Sequence, residues 1–480
     1  MNIDDFEPMF PLSIEIIERQ LMALPVTILL QPGSDKPVPG LPGKAAGSLA
    51  LVKDNNTSLS LLVSTGPTGK TTAESFRSAG AAIARWMMDN KVSEATLKAT
   101  AFDPQGVTNA VEYLCEGAWL GAYQFKKYKK PEEQPTSTLY LEVGKSASAL
   151  KSRLEKVQKT VYATNLARQI IHEPANVINP QTLAELAEAL AQKFGFKCTV
   201  INTPQLGELK AGALLAVGQG SKTPSRLIIL EYAGLDAEPG AAPIVLVGKA
   251  ITFDTGGYSL KGVDHIVGMK YDKAGGVAVL CTLVAAASLK LKQPIIGIIP
   301  AAENMISAQA YRPDDILISM SGKSIEIIST DAEGRLILAD ALTYAQKFYS
   351  PKALIDIATL TGGVIVALGH VRAGILSNNE PLSSALITAG EATHERLWPL
   401  PLDDEYFDQI KSSEADIKNS GGREASTITG AMFLKQFIED GTTWAHVDIA
   451  GTADTDKHPY CPKGPTGFGV RLFIEYLQKL

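Results

Sequence analysis

The pentapeptide Asp331-Ala332-Glu333-Gly334-Arg335 sets two carboxylates and a guanidinium just ahead of an apolar helical run over 336–345. Upstream, Lys249, Asp254, Lys261 and Asp272 are spread through 247–272, a stretch that includes Thr255-Gly256-Gly257. Four carboxylates in one cleft repel and raise one another's pKa. Two divalent cations cancel that charge and can share bridging carboxylates and a bridging water, which is acidic enough to attack a carbonyl near neutral pH. In such a site Lys249 ligates as the neutral amine, whereas Lys261 and Arg335 stay cationic and stabilise a developing oxyanion. The same residues have a plainer reading. Asp331 and Glu333 alone suit an N-cap and first-turn acids facing a helix dipole.

Other polar residues carry weaker signals. His172, His370 and His446 sit in or beside apolar segments, where a packed or hydrogen-bonded histidine is expected rather than a ligand. Gly66-Pro67-Thr68-Gly69-Lys70-Thr71 ends like a phosphate loop, but Ser64 stands where the first glycine is needed. No G-x-S-x-G elbow occurs. Cys115, Cys198, Cys281 and Cys461 form no C-x-x-C pair. That fits a reducing compartment and gives no cysteine-based zinc site.

The elements that must position these groups follow from length and pattern. At 480 residues the chain exceeds the usual single-core size, so two domains are expected. Hydrophobic content of 45% and charged content of 20% are those of a globular protein. The net charge of −6 speaks against a general nucleic-acid binder. The first residues are acidic where a signal peptide is basic, and no charge-free apolar run reaches about 18 residues, so neither a leader nor a membrane span is expected. A cytoplasmic protein is the expectation.

Residues 1–145 read as a small α/β domain, with strands over 26–30, 48–52, 59–63 and 137–143. A helix over 72–89 places Phe76, Ala79, Ile83, Ala84 and Met87 on one face, capped by Thr71 or Thr72 and interrupted by Gly80. A second helix is expected over 109–122. The basic run Lys126-Lys127-Tyr128-Lys129-Lys130-Pro131 reads as a solvated loop, since one short run is below the usual nucleic-acid footprint. Residues 146–178 form a linker helix that breaks at Glu173-Pro174-Ala175-Asn176, and Pro180 opens the next helix. In 179–480, short apolar runs over 227–232, 244–247, 294–299, 353–357 and 444–449 suit strands covered on both faces. Helices are expected over 275–289, 336–348, 431–439 and 468–477. The fold class is therefore α/β with a largely parallel or mixed sheet. Sites in such sheets gather at the carboxyl ends of strands. Lys249 ends the strand over 244–247, Asp254 is expected in the next turn, Asp272 precedes a helix, and Asp331 and Glu333 follow a strand over 324–328.

At these residues the chain resembles the leucyl (cytosol) aminopeptidase family of two-metal peptidases. The stretch from Val247-Gly248-Lys249 to Lys261 is similar to the family's first metal motif, and 329–342 to its signature octapeptide and the helix after it. Further similar segments are Asn165-Leu166-Ala167-Arg168, Glu303-Asn304-Met305, Tyr311-Arg312-Pro313, 356–363 and 444–452. The resemblance covers roughly residues 160–480. It implies a macro-like N-terminal α/β domain and a C-terminal α/β peptidase domain with a central mixed sheet flanked by helices, assembled as a homohexamer. It also implies that Asp254 and Glu333 bridge two divalent ions, Mn²⁺ or Zn²⁺, with Lys249 and Asp272 completing one site and Asp331 the other. Lys261 then polarises the scissile carbonyl, and Arg335 holds a bicarbonate that shuttles the proton. Leu360 and Gly362 contact substrate through their backbones, while Met269, Thr359, Ala450 and Ala453 line the first side-chain pocket. The substrates implied are peptides with a free N-terminus.

The sequence departs from the family pattern in three places. Ser329 stands where Asn is usual. The loop Gly262-Val263-Asp264-His265-Ile266-Val267-Gly268 replaces a Pro-Ser segment and an acidic pair, and Lys273 follows Asp272 where Met is common. Two competing readings are a hexameric DNA-binding architectural protein, supported only by the run at 126–130, and a non-catalytic scaffold relative, which has no need of the intact ligand set.

Overall fold

The structure is a computed structural model describing residues 3–8, 11–18, 26–32, 42–53, 59–99, 107–130, 136–143, 147–238 and 240–480. Met1 and Asn2 of the acidic N-terminus, and Pro131 of the basic run, lie outside the described residues. The chain divides into two compact units: Pro8–Asn165 with Thr455–Gly464, and Met1–Glu7 with Leu166–Asp454 and Pro465–Leu480.

The first unit contains β1 (Leu12–Ile17), β2 (Val26–Gln31), β3 (Leu49–Lys53), β4 (Leu59–Ser64), β5 (Glu94–Lys98) and β6 (Ser137–Glu142), in the order β1-β6-β5-β2-β4-β3. All neighbours are parallel except β3 and β4. Alternate residues of β2 and β6 are buried, as a two-residue period requires. The helices are α1 (Ala73–Asp89), α2 (Ala110–Gly121) and α3 (Ala147–His172), the last crossing the boundary between the units. Thr72 caps α1 through Ser75, and the expected apolar face is buried. The rest of the basic run, 126–130, is a largely exposed turn ahead of β6.

Gly80, the interruption in the α1 pattern, has a packing reason. A Cβ there would lie 1.9 Å from the Leu114 carbonyl oxygen, and one on Gly117 2.0 Å from that of Arg77. The two helices thus meet backbone to backbone. Gly80→Ala is expected to lower stability by about 1–3 kcal/mol through overpacking, read as a lower urea midpoint for this unit. An unchanged midpoint would show that the helices separate at no cost.

The second unit runs through α4 (Pro180–Phe194), β7 (Lys197–Ile201), α5 (Thr203–Glu208), α6 (Gly212–Gly218), β8 (Arg226–Tyr232), β9 (Ile244–Gly248), β10 (Ala250–Asp254), α7 (Val263–Ile266), α8 (Ala274–Leu289) and β11 (Ile295–Asn304). It continues with β12 (Ile316–Ile318), β13 (Ser324–Glu326), α9 (Glu333–Phe348), β14 (Ala353–Ala358), α10 (Gly362–Leu368), β15 (Ala373–Ser377), α11 (Glu380–Thr393), β16 (Leu397–Pro399), β17 (Ile417–Lys418), α12 (Ser426–Lys435), β18 (Trp444–Asp448) and α13 (Val470–Leu477). The main sheet has the order β16-β15-β18-β14-β9-β11-β8-β7, with β10 also on β11. Its centre, β18, β14, β9 and β11, is parallel, while β15 and β8 run antiparallel to that block. Every residue of β9 and β14 is buried, as befits strands covered on both faces. Ile296 and Ile298 of β11 share a core cluster with α9. Gly297, pointing the other way, faces Val279 and Leu283 of α8. The sheet is therefore sandwiched between α8 and α9. The segment 263–289 is apolar enough for a membrane span, but 83% of its most apolar window is buried inside the unit.

Two expectations need correction. The strand near 324 is β13, and it belongs to a separate three-stranded sheet, β12-β13-β17, rather than the main sheet. Asp254 is not in a turn but ends β10, because 250–254 finds a parallel partner in β11.

Candidate active site

The site forms where the parallel strands end. Lys249 lies between β9 and β10, its N–H donating to Ile357 O at 3.1 Å and its carbonyl accepting from Gly276 N–H at 2.6 Å. After β10 the chain reverses at Gly256 (φ 83°) and Gly257 (φ 62°). Both take the left-handed conformation that glycine tolerates. The reversal delivers Lys261 back to the cluster. Thr330 ties this loop to the one before α9. Its hydroxyl donates to Gly256 O at 2.6 Å and accepts from Ser259 N–H at 2.8 Å. Asp331 ends that second loop, and Glu333 is the first residue of α9, where the helix dipole favours an acid. Asp272 follows the single 3-10 turn Met269–Tyr271.

Two ammonium groups draw the carboxylates together. Lys249 Nζ is 2.9 Å from Asp272 Oδ1, 2.9 Å from Glu333 Oε1 and 2.8 Å from Thr359 O. Lys261 Nζ is 2.7 Å from Asp254 Oδ2 and also pairs with Asp331 Oδ1. Asp254 Oδ1 accepts from Gly256 N–H and Asn304 Nδ2, each at 2.8 Å. Thr359 Oγ1 donates to Asp272 Oδ1 at 2.6 Å. Gly334 makes room for Lys249, since a Cβ there would lie 2.6 Å from its Nζ.

Burial and mutual repulsion strain this charge. Burial, reinforced by Glu333 and opposed by both lysines, pushes Asp254 up to about 6. Asp272 is pushed to about 8 by burial despite Lys249. Burial also works against Lys249, but Asp272, Glu333 and Asp254 outweigh it and hold its ammonium above the usual value. Glu333 stays below the ordinary carboxylate range: burial opposes this, and Lys249 and Lys261 overcome it. Arg335 is lowered to about 10 by burial, against the pull of Glu333 and Asp448.

The donor set fits divalent metal. One carboxylate oxygen each from Asp254, Asp272 and Glu333 lie within 4.8 Å of one another. Asp272 Oδ2 and Glu333 Oε2 are buried with no hydrogen-bond partner. Such orphaned acceptors cost about 1–3 kcal/mol each and call for a cation. Asp331 joins from the more exposed rim through Lys261. Oxygen and amine donors suit Mn²⁺, Zn²⁺ and Mg²⁺.

Arg335 is buried two residues after Glu333, with Nη1 donating to Asn419 O at 2.8 Å and Nε without a partner. Leu360 N–H and Ala450 N–H both donate to Asp448 Oδ1, at 3.1 and 3.2 Å, and Gly362 opens α10. Met269 opens the turn before Asp272, Thr359 touches both Lys249 and Asp272, and Ala453, three residues after Ala450, is buried. His446 bonds to Asp356, His370 to Gly451 O, and His172 meets the Tyr271 ring edge-on. Among the described residues, none of the three joins the carboxylate group. Asp448, Asn304, Thr330 and Asn419 were given no role by the sequence reading. The first three lie inside the family-like segments, which is a usable signal. Asn419, which grips 328–329 through Ile328 N–H and Ser329 O, has none in its polar surroundings.

Residues 165–474 match the catalytic domain of the cytosol aminopeptidase family, and residues 41–132 match that family's N-terminal domain. The chain belongs to the cytosol aminopeptidase family. It is 46% identical over 428 residues to a probable cytosol aminopeptidase of Syntrophotalea carbinolica, covering 87% of this chain and 85% of that one. A protein of the same description from Cenarchaeum symbiosum is 43% identical, with 87% and 85% covered. Among solved structures, the bottromycin maturation enzyme BotP in complex with Mn superposes with a TM-score of 0.87 at 31% identity, covering 95% of this chain and 99% of that one. The protein is thus a metal-dependent aminopeptidase, a hydrolase acting on peptides. Its α/β catalytic domain carries the mixed sheet expected from the sequence.

Proposed function

We propose that this aminopeptidase releases leucine-type residues from the free N-termini of peptides, with Lys249, Asp254, Asp272, Asp331 and Glu333 holding two divalent ions. The observation that carries the reading is the convergence of four carboxylates on two lysines, with buried carboxylate oxygens left unbonded. Two ions there would supply a water acidic enough to attack a carbonyl near neutral pH. Asp254 and Glu333 would be the ligands that both ions share. The Lys249–Asp272 end takes the free α-amine, which restricts cleavage to the first residue. Lys261, held between Asp254 and Asp331, aims its ammonium at the oxygen where negative charge develops. Arg335, with its unbonded buried Nε, holds bicarbonate as the group that moves the proton. The backbones of Leu360 and Gly362 guide the substrate, and Met269, Thr359, Ala450 and Ala453 receive the first side chain. Mn²⁺ or Zn²⁺, a cytoplasmic homohexamer without nucleic-acid partners, and a domain plan of 1–145, 146–178 and 179–480 complete the proposal. The family resemblance supports the metals and the hexamer, and the net charge of −6 speaks against nucleic acid.

The test is hydrolysis of a leucine chromogenic amide by metal-stripped protein, with Mn²⁺ or Zn²⁺ added back, beside an N-acetylated control. Activity restored by metal and absent on the blocked amide is expected. Equal hydrolysis of the blocked amide would overturn the role given to the free amine.

A further inference from the structure

Lys273 follows Asp272 directly and has no exposed surface. Its ammonium donates to three backbone carbonyls: Ile171 at 3.0 Å, Glu173 at 2.9 Å and Lys270 at 2.6 Å. That uses all three of its donors. Lys270 Nζ donates to His172 O at 2.7 Å. Ile171 and His172 are the last residues of α3, where carbonyls lack helical partners and carry the negative end of the dipole. Two ammonium groups from one short segment therefore grip the end of α3, and the chain between them is Tyr271-Asp272.

This grip bears on the cluster. Lys273 Nζ bonded to Lys270 O closes the 3-10 turn from behind, and that turn leads straight into Asp272. From the other side, Thr359 Oγ1 and Lys249 Nζ hold Asp272 Oδ1, and Thr359 Oγ1 also reaches the Asp272 carbonyl at 3.4 Å. Its Oδ2 is buried without a partner, and one of its carboxylate oxygens lies within 4.8 Å of those of Asp254 and Glu333. Burying an ammonium costs several kcal/mol, repaid only when every donor is satisfied. A neutral side chain of similar length would fill the same space without that cost.

We propose that Lys273 is a positioning residue: by pinning the 270–273 segment to the end of α3 it sets where Asp272 presents its free oxygen to the cation bound at the Lys249–Asp272 end. The inference rests on the reading that Asp272 is a metal ligand. Removing an outer partner of a metal ligand typically weakens the metal by about 10- to 100-fold.

The experiment is calorimetric titration of metal-stripped protein with Mn²⁺. The parent is expected to take up two Mn²⁺ per chain. In Lys273→Met, one step should weaken by about tenfold or more and the other stay within about twofold. In an Asp272→Asn background, Lys273→Met should change neither step. Activity lost by Lys273→Met should return at saturating Mn²⁺. Should Lys273→Met not fold, Lys273→Gln, which keeps two donors, is expected to weaken the same step by a smaller factor. Unchanged Mn²⁺ steps with a lowered melting temperature would reduce Lys273 to a helix cap and overturn the proposal. So would an activity loss that Mn²⁺ does not restore. A parent that binds fewer than two Mn²⁺ would overturn the ligand reading itself.

Discussion

Glu333→Gln is expected to lower kcat/KM on a leucine amide by about a thousandfold, since losing one partner of a buried charged group costs about 3–5 kcal/mol and each 1.36 kcal/mol is tenfold in rate. Glu333 is the residue proposed above as a ligand that both ions would share. One oxygen pairs with Lys249, the other is buried without a partner, and the charges of Lys249 and Lys261 keep it ionised despite burial. The amide has nearly the same shape but no charge; with its Oε1 turned to accept from Lys249, it sets an NH₂ where the unbonded carboxylate oxygen stood. Metal content should fall below two per chain by elemental analysis, while the far-ultraviolet circular dichroism stays that of the parent. Retention of both metals with more than a tenth of the activity would remove Glu333 from the shared position. Because Gly334 leaves no side chain in the way of Lys249, the lysine can settle on Asp272 alone, so a folded variant is expected.

The second large effect concerns a buried group outside the cluster. His446 Nδ1 is 2.6 Å from Asp356 Oδ1, Trp444 Nε1 donates to Asp356 Oδ2 at 2.8 Å, and His446 and Asp356 are both fully buried. They sit on the neighbouring strands β18 and β14, with Asp356 and His446 in register. His446→Phe leaves the Asp356 charge buried and half satisfied, and should cost about 3–5 kcal/mol of stability, measured as a lower denaturant midpoint. Burial lowers the imidazole's proton affinity, but Asp356 and then Asp448 more than compensate, so its pKa in the folded protein is above the usual 6.5. A raised folded pKa stabilises fully below the unfolded value and is lost as pH rises through the folded one. The gap between parent and His446→Phe should therefore be widest in mildly acidic solution and narrow on the alkaline side. A gap that widened with pH would mean that the imidazole is neutral throughout.

Much of the catalytic unit was legible before any coordinates. The runs that became β8, β9, β11, β14 and β18 are nearly all apolar because these strands lie under helices on both faces, and that leaves a local mark. The strands β1, β5, β7 and β15 and the helix α11 were not read. β1 and β7 are half-exposed, so their apolar pattern is diluted. β10 was read as a turn because its strand character depends on β11 lying alongside. Gly80 looked like a flaw in a helix until α2 was found crossing it.

The sequence by itself determined the chemical inventory: which carboxylates, lysines and arginine are present, and in what local setting of strand end, glycine turn or helix start. It also determined the fold class, since hydrophobic periodicity is a local property. The tertiary structure decided which of those groups meet. Lys249 joins Asp272 with Glu333, and Lys261 joins Asp254 with Asp331, through two loops knotted at Thr330. It decided too that Asp331 is the more exposed carboxylate, that Arg335 bonds to Asn419 O, and that Lys273 reaches the end of α3. Such pairings join residues far apart in the chain. The energy that selects them, burial against charge, exists only once the sheet and its helices have closed around the site.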